Sequence, residues 1–124
     1  MTSWGDMIMS KYHSKKVTVG GITFDSKKEA DRYAELKMLE RLGVIHSLEL
    51  QKKYELIPAQ KLPIPVVSKN CMKKVEKAIT YKADFVYVRD GQTIVEDVKG
   101  MRTEVYKIKR KLMLYIHGIQ VMEI

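Results

Sequence analysis

Asp84, Asp97 and Lys99 are the residues whose types and spacing best equip this chain for chemistry. They lie in two β-rich runs, Tyr81 to Arg89 and Gln92 to Lys99, separated by Asp90-Gly91. Side chains alternate faces along a strand, so Asp97 and Lys99 share a face and Glu96 and Val98 take the other. An Asp-Gly pair between such runs predicts a tight hairpin, which brings Asp84 beside the strand of Asp97. Two carboxylates and an ammonium then converge. Those charges suit the joint holding of a divalent metal, a phosphate and an attacking water.

An acid followed two residues later by Lys occurs three times, as Asp25-Ser26-Lys27, Glu35-Leu36-Lys37 and Asp97-Val98-Lys99. The first straddles a predicted helix start. The second lies within that helix, where residues two apart point to nearly opposite sides. Only the third has strand parity and a preceding acid on the neighbouring strand.

The elements that position these groups follow from periodicity and turn residues. Val17 to Phe24 reads as a small hairpin about Gly20-Gly21, and a helix is predicted from Ser26, its cap, to Leu42, ended by Gly43. Val44 to Leu50 and Tyr54 to Ile57 read as strands. Residues 58–78, with Pro58, Pro63 and Pro65 before a lysine-rich stretch, read as a flexible insertion. After the two motif strands, Thr103 is predicted to cap a helix reaching His117, with Val105, Ile108, Leu112 and Tyr115/Ile116 facing the core. Gly118 breaks that helix, and Ile119 to Ile124 forms a short last strand. This order predicts an α/β (α+β) fold, a mixed sheet flanked by helices. Residues 1–16 read as a loosely ordered basic lead-in to one domain over 17–124.

With 124 residues the chain has room for one core, and its 31% of charged residues carries a net charge of +8, which favours a polyanionic partner. Cys71 is the sole cysteine, which excludes an internal disulfide and a cysteine-based zinc site. Neither a signal-like start nor a run of about 20 apolar residues is present, so a cytoplasmic location with no membrane partner is expected. His13, His46 and His117 form no spaced cluster and read as ordinary histidines.

An acid on an early helix, an Asp on one strand, Asp/Glu-x-Lys on the next and then a basic helix resembles the PD-(D/E)XK nuclease superfamily. The order is similar to that of Holliday-junction resolvases and phage endonuclease I. More narrowly, Gly21 to Ala30 together with Glu96 to Gly100 resembles a family of small phage-encoded proteins, with the likeness spanning roughly residues 20–124. Ala83 stands where the superfamily pattern places Pro. The resemblance implies a restriction-endonuclease-like core and a metal-dependent endonuclease that hydrolyses DNA phosphodiester bonds, structure-selective for branched or junction DNA. It implies Asp84, Asp97, Glu29 and the Val98 carbonyl as metal ligands, and Lys99 as the group that orients the water and offsets phosphate charge. Hard oxygen ligands favour Mg²⁺ or Mn²⁺. In a phage setting the location becomes the host cytoplasm, and two symmetric cuts at a junction would call for a homodimer.

Each group also has a plainer reading. Asp84, Asp97 and Lys99 form a cross-strand ion pair on a solvated sheet face, though the flanking apolar residues speak for interior strands. Ser26 to Glu29 fits the S-x-x-E capping box, in which Glu29 turns back to the cap amide. Glu96 has the wrong parity for the site and is expected to pair with a basic residue on the opposite face. Arg102, Lys107, Arg110 and Lys111 are either DNA-backbone contacts or a solvated helix face. Lys69, Lys73, Lys74 and Lys77 stand as a second set of basic contacts. The rival functions are a non-catalytic nucleic-acid-binding module on the same fold and a basic protein–protein adaptor that needs no metal.

Overall fold

The computed structural model describes residues 15–61 and 75–124. Most of the predicted lead-in and most of the predicted insertion, with Cys71, Lys69, Lys73 and Lys74, lie outside the described residues. The described chain runs β1 (Val17–Val19), β2 (Ile22–Phe24), α1 (Lys27–Arg41), β3 (His46–Ile57), β4 (Gln60–Lys61), β5 (Val75–Glu76), β6 (Ile79–Arg89), β7 (Gln92–Asp97), α2 (Glu104–His117) and β8 (Met122–Glu123). A four-stranded mixed sheet has the order β3-β6-β7-β8, and β1-β2 and β4-β5 are separate antiparallel pairs. The architecture is α+β. No helix among the described residues is long and apolar enough to cross a membrane.

Two compact units make up the described residues: one as far as Leu48 with Tyr87–Thr93, the other within Glu49–Val86 and Ile94–Ile124. In the first, β1 and β2 pair Val17 with Phe24 and Val19 with Ile22 across Gly20-Gly21. Ser26 caps α1 by accepting from the Glu29 amide at 3.1 Å, as the capping box predicts. Buried Ala30 and Leu36 supply its apolar face, and Phe24 meets Tyr33 with ring centroids 5.0 Å apart. The exposed pairs Lys27–Asp31 and Arg32–Glu35 and the part-buried pair Lys37–Glu40 line the helix at spacings of three or four. The turn between β6 and β7 also belongs to this unit. Asp90 and Gly91 both have positive φ, 52° and 76°, the conformation that a two-residue hairpin requires.

In the second unit Leu56, Tyr81, Ala83, Val86, Val95, Tyr106, Met113 and Val121 form the core. Thr103 caps α2 by accepting from the Tyr106 amide at 3.1 Å, and Gly118 ends it in the left-handed conformation at φ 67°. β8 then lies parallel to β7, with Glu96 opposite Met122 and Asp97 opposite Glu123.

Two expectations need correction. The stretch expected to break into strands at Val44 to Leu50 and Tyr54 to Ile57 is the single strand β3. Burial alternates through the polar middle, and Lys52 Nζ stands over the Tyr54 ring, 5.5 Å from its centroid. Gln51 has φ at +54°, a conformation that costs a non-glycine residue about 1–2 kcal/mol.

The second correction concerns α2. Of the stripe expected to face the core, only Leu112 packs against it; Val105, Ile108, Tyr115 and Ile116 are exposed. Tyr106 and Met113 are the buried residues of this helix. The rotation is fixed by polar contacts that hydrophobic periodicity does not register: Arg110 bonds Glu123 on β8 and Lys99 lies over the Tyr106 ring. Met113→Ala should therefore destabilise the protein by about 2–5 kcal/mol. Ile108→Lys should change stability by no more than about 0.5 kcal/mol. Urea unfolding of both variants checks this, and the reverse ranking would restore the expected stripe.

Candidate functional site

The β6–β7 pair brings Asp84 and Asp97 together, as the hairpin predicts. Asp84 is partly buried, and its Oδ2 accepts from the Val98 backbone N–H at 2.8 Å. Its Oδ1 accepts from Gln51 Nε2 on the neighbouring strand at 3.2 Å. Asp97 is 1% exposed. Its Oδ2 accepts a short hydrogen bond, 2.5 Å, from the Tyr81 hydroxyl. Lys99 Nζ stands 3.3 Å from Asp97 Oδ1, an ion-pair distance without hydrogen-bond geometry. Oδ1 is thus buried and accepts no hydrogen bond among the described residues.

Burial, and next the adjacent Asp84 carboxyl, push the Asp97 pKa from 3.8 up to about 7, against the opposing pull of Tyr81 and Lys99. Burial and the bond to Asp97 likewise raise the Tyr81 phenol far above its ordinary value, so it stays a donor. The Lys99 ammonium also lies 4.5 Å from the Tyr106 ring centroid, a cation–π distance. Although β7 ends at Asp97, Lys99 still falls on the Asp97 face. Glu96, adjacent to Asp97 and so of opposite parity, pairs with Met122 and is itself buried.

Glu29 is a buried residue of α1 in the first unit, and its amide serves the helix cap. Among the described residues no three His, Cys, Asp or Glu side chains form a group able to hold a metal. The basic residues expected at DNA have acidic partners close by. Arg102 Nε bonds Glu123 Oε2 at 2.8 Å, Arg110 bonds Glu123 Oε1 at 3.2 Å, and Lys107 bonds Glu104 at 3.1 Å. Lys111 is exposed. His117 contacts the Glu55 carbonyl at 2.7 Å and the Tyr54 ring edge-on.

Sequence reasoning misses Gln51 and Tyr81. Tyr81 reads as a packing residue like the other tyrosines, and its position three residues before Asp84 gives no signal of a bond to Asp97. Gln51 lies in a polar stretch that reads as a break between strands; only the pairing of β3 with β6 brings it to Asp84.

Residues 9–121 match the family described as "Protein of unknown function (DUF1064)". The chain belongs to that family. No curated protein and no solved structure matches it. Membership of DUF1064 assigns no activity, so the chemistry must be argued from the side chains.

A carboxyl titrating near 7 in the folded chain and near 3.8 unfolded holds its proton more tightly when folded. Between those values the folded state binds more protons, so stability falls as pH rises from about 4 to 7 and stays lowered above. In metal-free buffer the thermal midpoint should drop between pH 5 and pH 8. Asp97→Asn should flatten that drop and raise the pH 8 midpoint by several degrees. Melts followed by circular dichroism check both, and an Asp97→Asn variant that retains the full pH slope would assign the titration to another group.

Proposed function

We propose that this protein is a metal-dependent phosphodiesterase acting on DNA, an endonuclease that uses Mg²⁺ or Mn²⁺. The observation that carries this reading is the buried Asp97 Oδ1, which accepts no hydrogen bond although it stands beside a second carboxylate and a lysine. Among the described residues that oxygen has only the Lys99 ammonium at 3.3 Å to offset its burial, and a divalent cation would offset the charge of both adjacent carboxylates. The donors present fit a hard divalent ion: Asp84, Asp97 and the Val98 carbonyl would hold it. When bound, such an ion supplies Lewis-acid polarisation of a phosphoryl oxygen and a water of lowered pKa.

The chain's own groups perform the remaining work. Tyr81 holds Asp97 by Oδ2, which leaves Oδ1 turned from the phenol. Lys99 keeps its ammonium beside that oxygen while part of its side chain meets solvent, so it can offset charge on an arriving phosphate and orient a water. The Tyr106 ring stabilises the ammonium without neutralising it. Lys111 and the Glu123-bound arginines offer backbone contacts that give affinity without base readout. Branched or junction DNA cut by a homodimer in the host cytoplasm is the substrate class that accords with basic groups spread along α2 among the described residues.

A non-catalytic nucleic-acid-binding module is the competing reading. It is favoured by the Tyr81 and Lys99 contacts, which give Asp97 a structural role without any metal.

Cleavage of labelled linear, single-stranded, flap and four-way DNA, with and without Mg²⁺ or Mn²⁺, separates the two. We expect metal-dependent scission that Asp84→Ala, Asp97→Ala or Lys99→Ala each lowers by more than about a hundredfold with the fold retained. Binding without scission under every metal condition would leave only the non-catalytic module. For duplex affinity, replacing Arg102, Lys107, Arg110 and Lys111 with Ala should flatten the slope of log affinity against log salt by about 0.9 for each phosphate that is no longer neutralised. An unchanged slope would make this helix face ordinary solvated surface.

A further inference from the structure

Asp84 has a donor on each carboxylate oxygen, and the two donors differ in kind. The Val98 N–H on Oδ2 is backbone, fixed by the course of the chain just past β7. The Gln51 amide on Oδ1 is a side chain from β3, the neighbour of β6 in the sheet. Gln51 reaches Asp84 from the left-handed conformation at φ +54°, a conformation that Ser47 of the same strand also takes at φ +59°. A left-handed residue in a strand bends it and re-aims its side chain. Glycine takes that conformation without strain, yet this position carries a long amide. At Gln51 the strained backbone carries a side chain that bonds a carboxylate of the site, and that bond gives the side chain its task.

The chemistry of the amide fits such a task. A lysine or arginine here would neutralise Asp84 and compete with a cation for it. A neutral N–H donor fixes the plane of the carboxylate and leaves its charge in place. A carboxylate has about four acceptor positions, so two bonds still leave lone pairs for a metal ion. Residues that orient ligand carboxylates in this way typically alter metal affinity by roughly 10–100-fold when changed.

The geometry points to Gln51 as a positioning residue that orients the Asp84 carboxylate for a divalent cation, an inference that rests on the metal-dependent reading above. Gln51 does not itself become a ligand; its effect is transmitted through Asp84.

Gln51→Gly and Gln51→Asn test this, because both residues accept the left-handed conformation and neither carries the amide as far. Mn²⁺ is titrated calorimetrically into the full chain without DNA, and thermal unfolding of the metal-free proteins is followed alongside. The expected result is Mn²⁺ binding weakened roughly 10–100-fold in both variants, with unfolding midpoints equal to or above that of the parent. Unchanged Mn²⁺ affinity in both variants overturns the role of Gln51 and leaves the metal-dependent reading standing. Weaker binding that tracks a fall in the unfolding midpoint also overturns it, since Gln51 would then act on the fold alone. A parent protein that binds no Mn²⁺ overturns the metal-dependent reading, and the role of Gln51 with it.

Discussion

Two carboxylates held side by side, one of them out of water, are the constraint around which the second unit is built. Desolvation and like charge both oppose ionising Asp97 next to Asp84. The neighbouring groups each reduce that penalty. Tyr81 donates to one Asp97 oxygen, Lys99 brings opposite charge to the other, and Val98 and Gln51 supply donors to Asp84. These four partners come from β3, β6 and the residues just past β7. The site therefore depends on the strand order of the sheet and would not survive a slip in register, because a one-residue slip turns every side chain to the other face.

The same constraint explains how the edge of the sheet is finished. β8 pairs in parallel with β7, Asp97 lies opposite Glu123, and the Ile124 amide donates to the Asp97 carbonyl at 3.0 Å. Glu123 in turn collects Arg102 and Arg110. Burial works to raise its carboxyl, but Tyr106 and the two arginines hold it below the usual value. Through Arg110 and Tyr106 this acid sets the rotation of α2, and the Tyr106 ring is then placed under the Lys99 ammonium. A residue at the far end of the chain thus helps to seat the lysine of the motif. The exposed Val105, Ile108 and Tyr115 follow from that choice, since a helix cannot turn both faces to one sheet.

Local signals carried much of this fold. Ser26 and Thr103 capped the helices where their side chains predicted, Gly43 and Gly118 took left-handed conformations at the expected ends, and Asp90-Gly91 made the hairpin turn. Each is decided by a few adjacent residues, so a sequence states it directly. The convergence of Asp84, Asp97 and Lys99 was legible for a related reason: parity and one tight turn suffice to determine it. What escaped depends on partners distant in the chain. Gln51 meets Asp84 from 33 residues away, and Arg110 meets Glu123 from 13. The α2 stripe was misread because periodicity weighs apolar residues and gives no weight to a half-buried arginine or a tyrosine beneath a cation. Polar contacts outranked hydrophobic spacing there, a local conflict of the kind expected near functional groups.

Whether so many polar groups around Asp97 have a structural purpose alone can be weighed against what a simpler core would give. Replacing a buried charged cluster with well-packed apolar residues of similar volume is often neutral, or stabilising by about 1–4 kcal/mol. The surroundings here suit such a replacement: Ala83, Phe85, Val86 and Val95 are buried apolar neighbours along the same strands. A chain under selection for stability alone would gain by filling the place of Asp97 with an aliphatic side chain. It would then have no need of Tyr81 as a phenol, of Lys99 as an ammonium, or of a strained Gln51. The cluster instead keeps a buried Asp97 oxygen that accepts no hydrogen bond among the described residues, and β3 keeps Gln51, like Ser47, at positive φ. The buried oxygen and the Gln51 amide act on the same pair of carboxylates, so the cost in stability is concentrated at the place where the charged side chains meet.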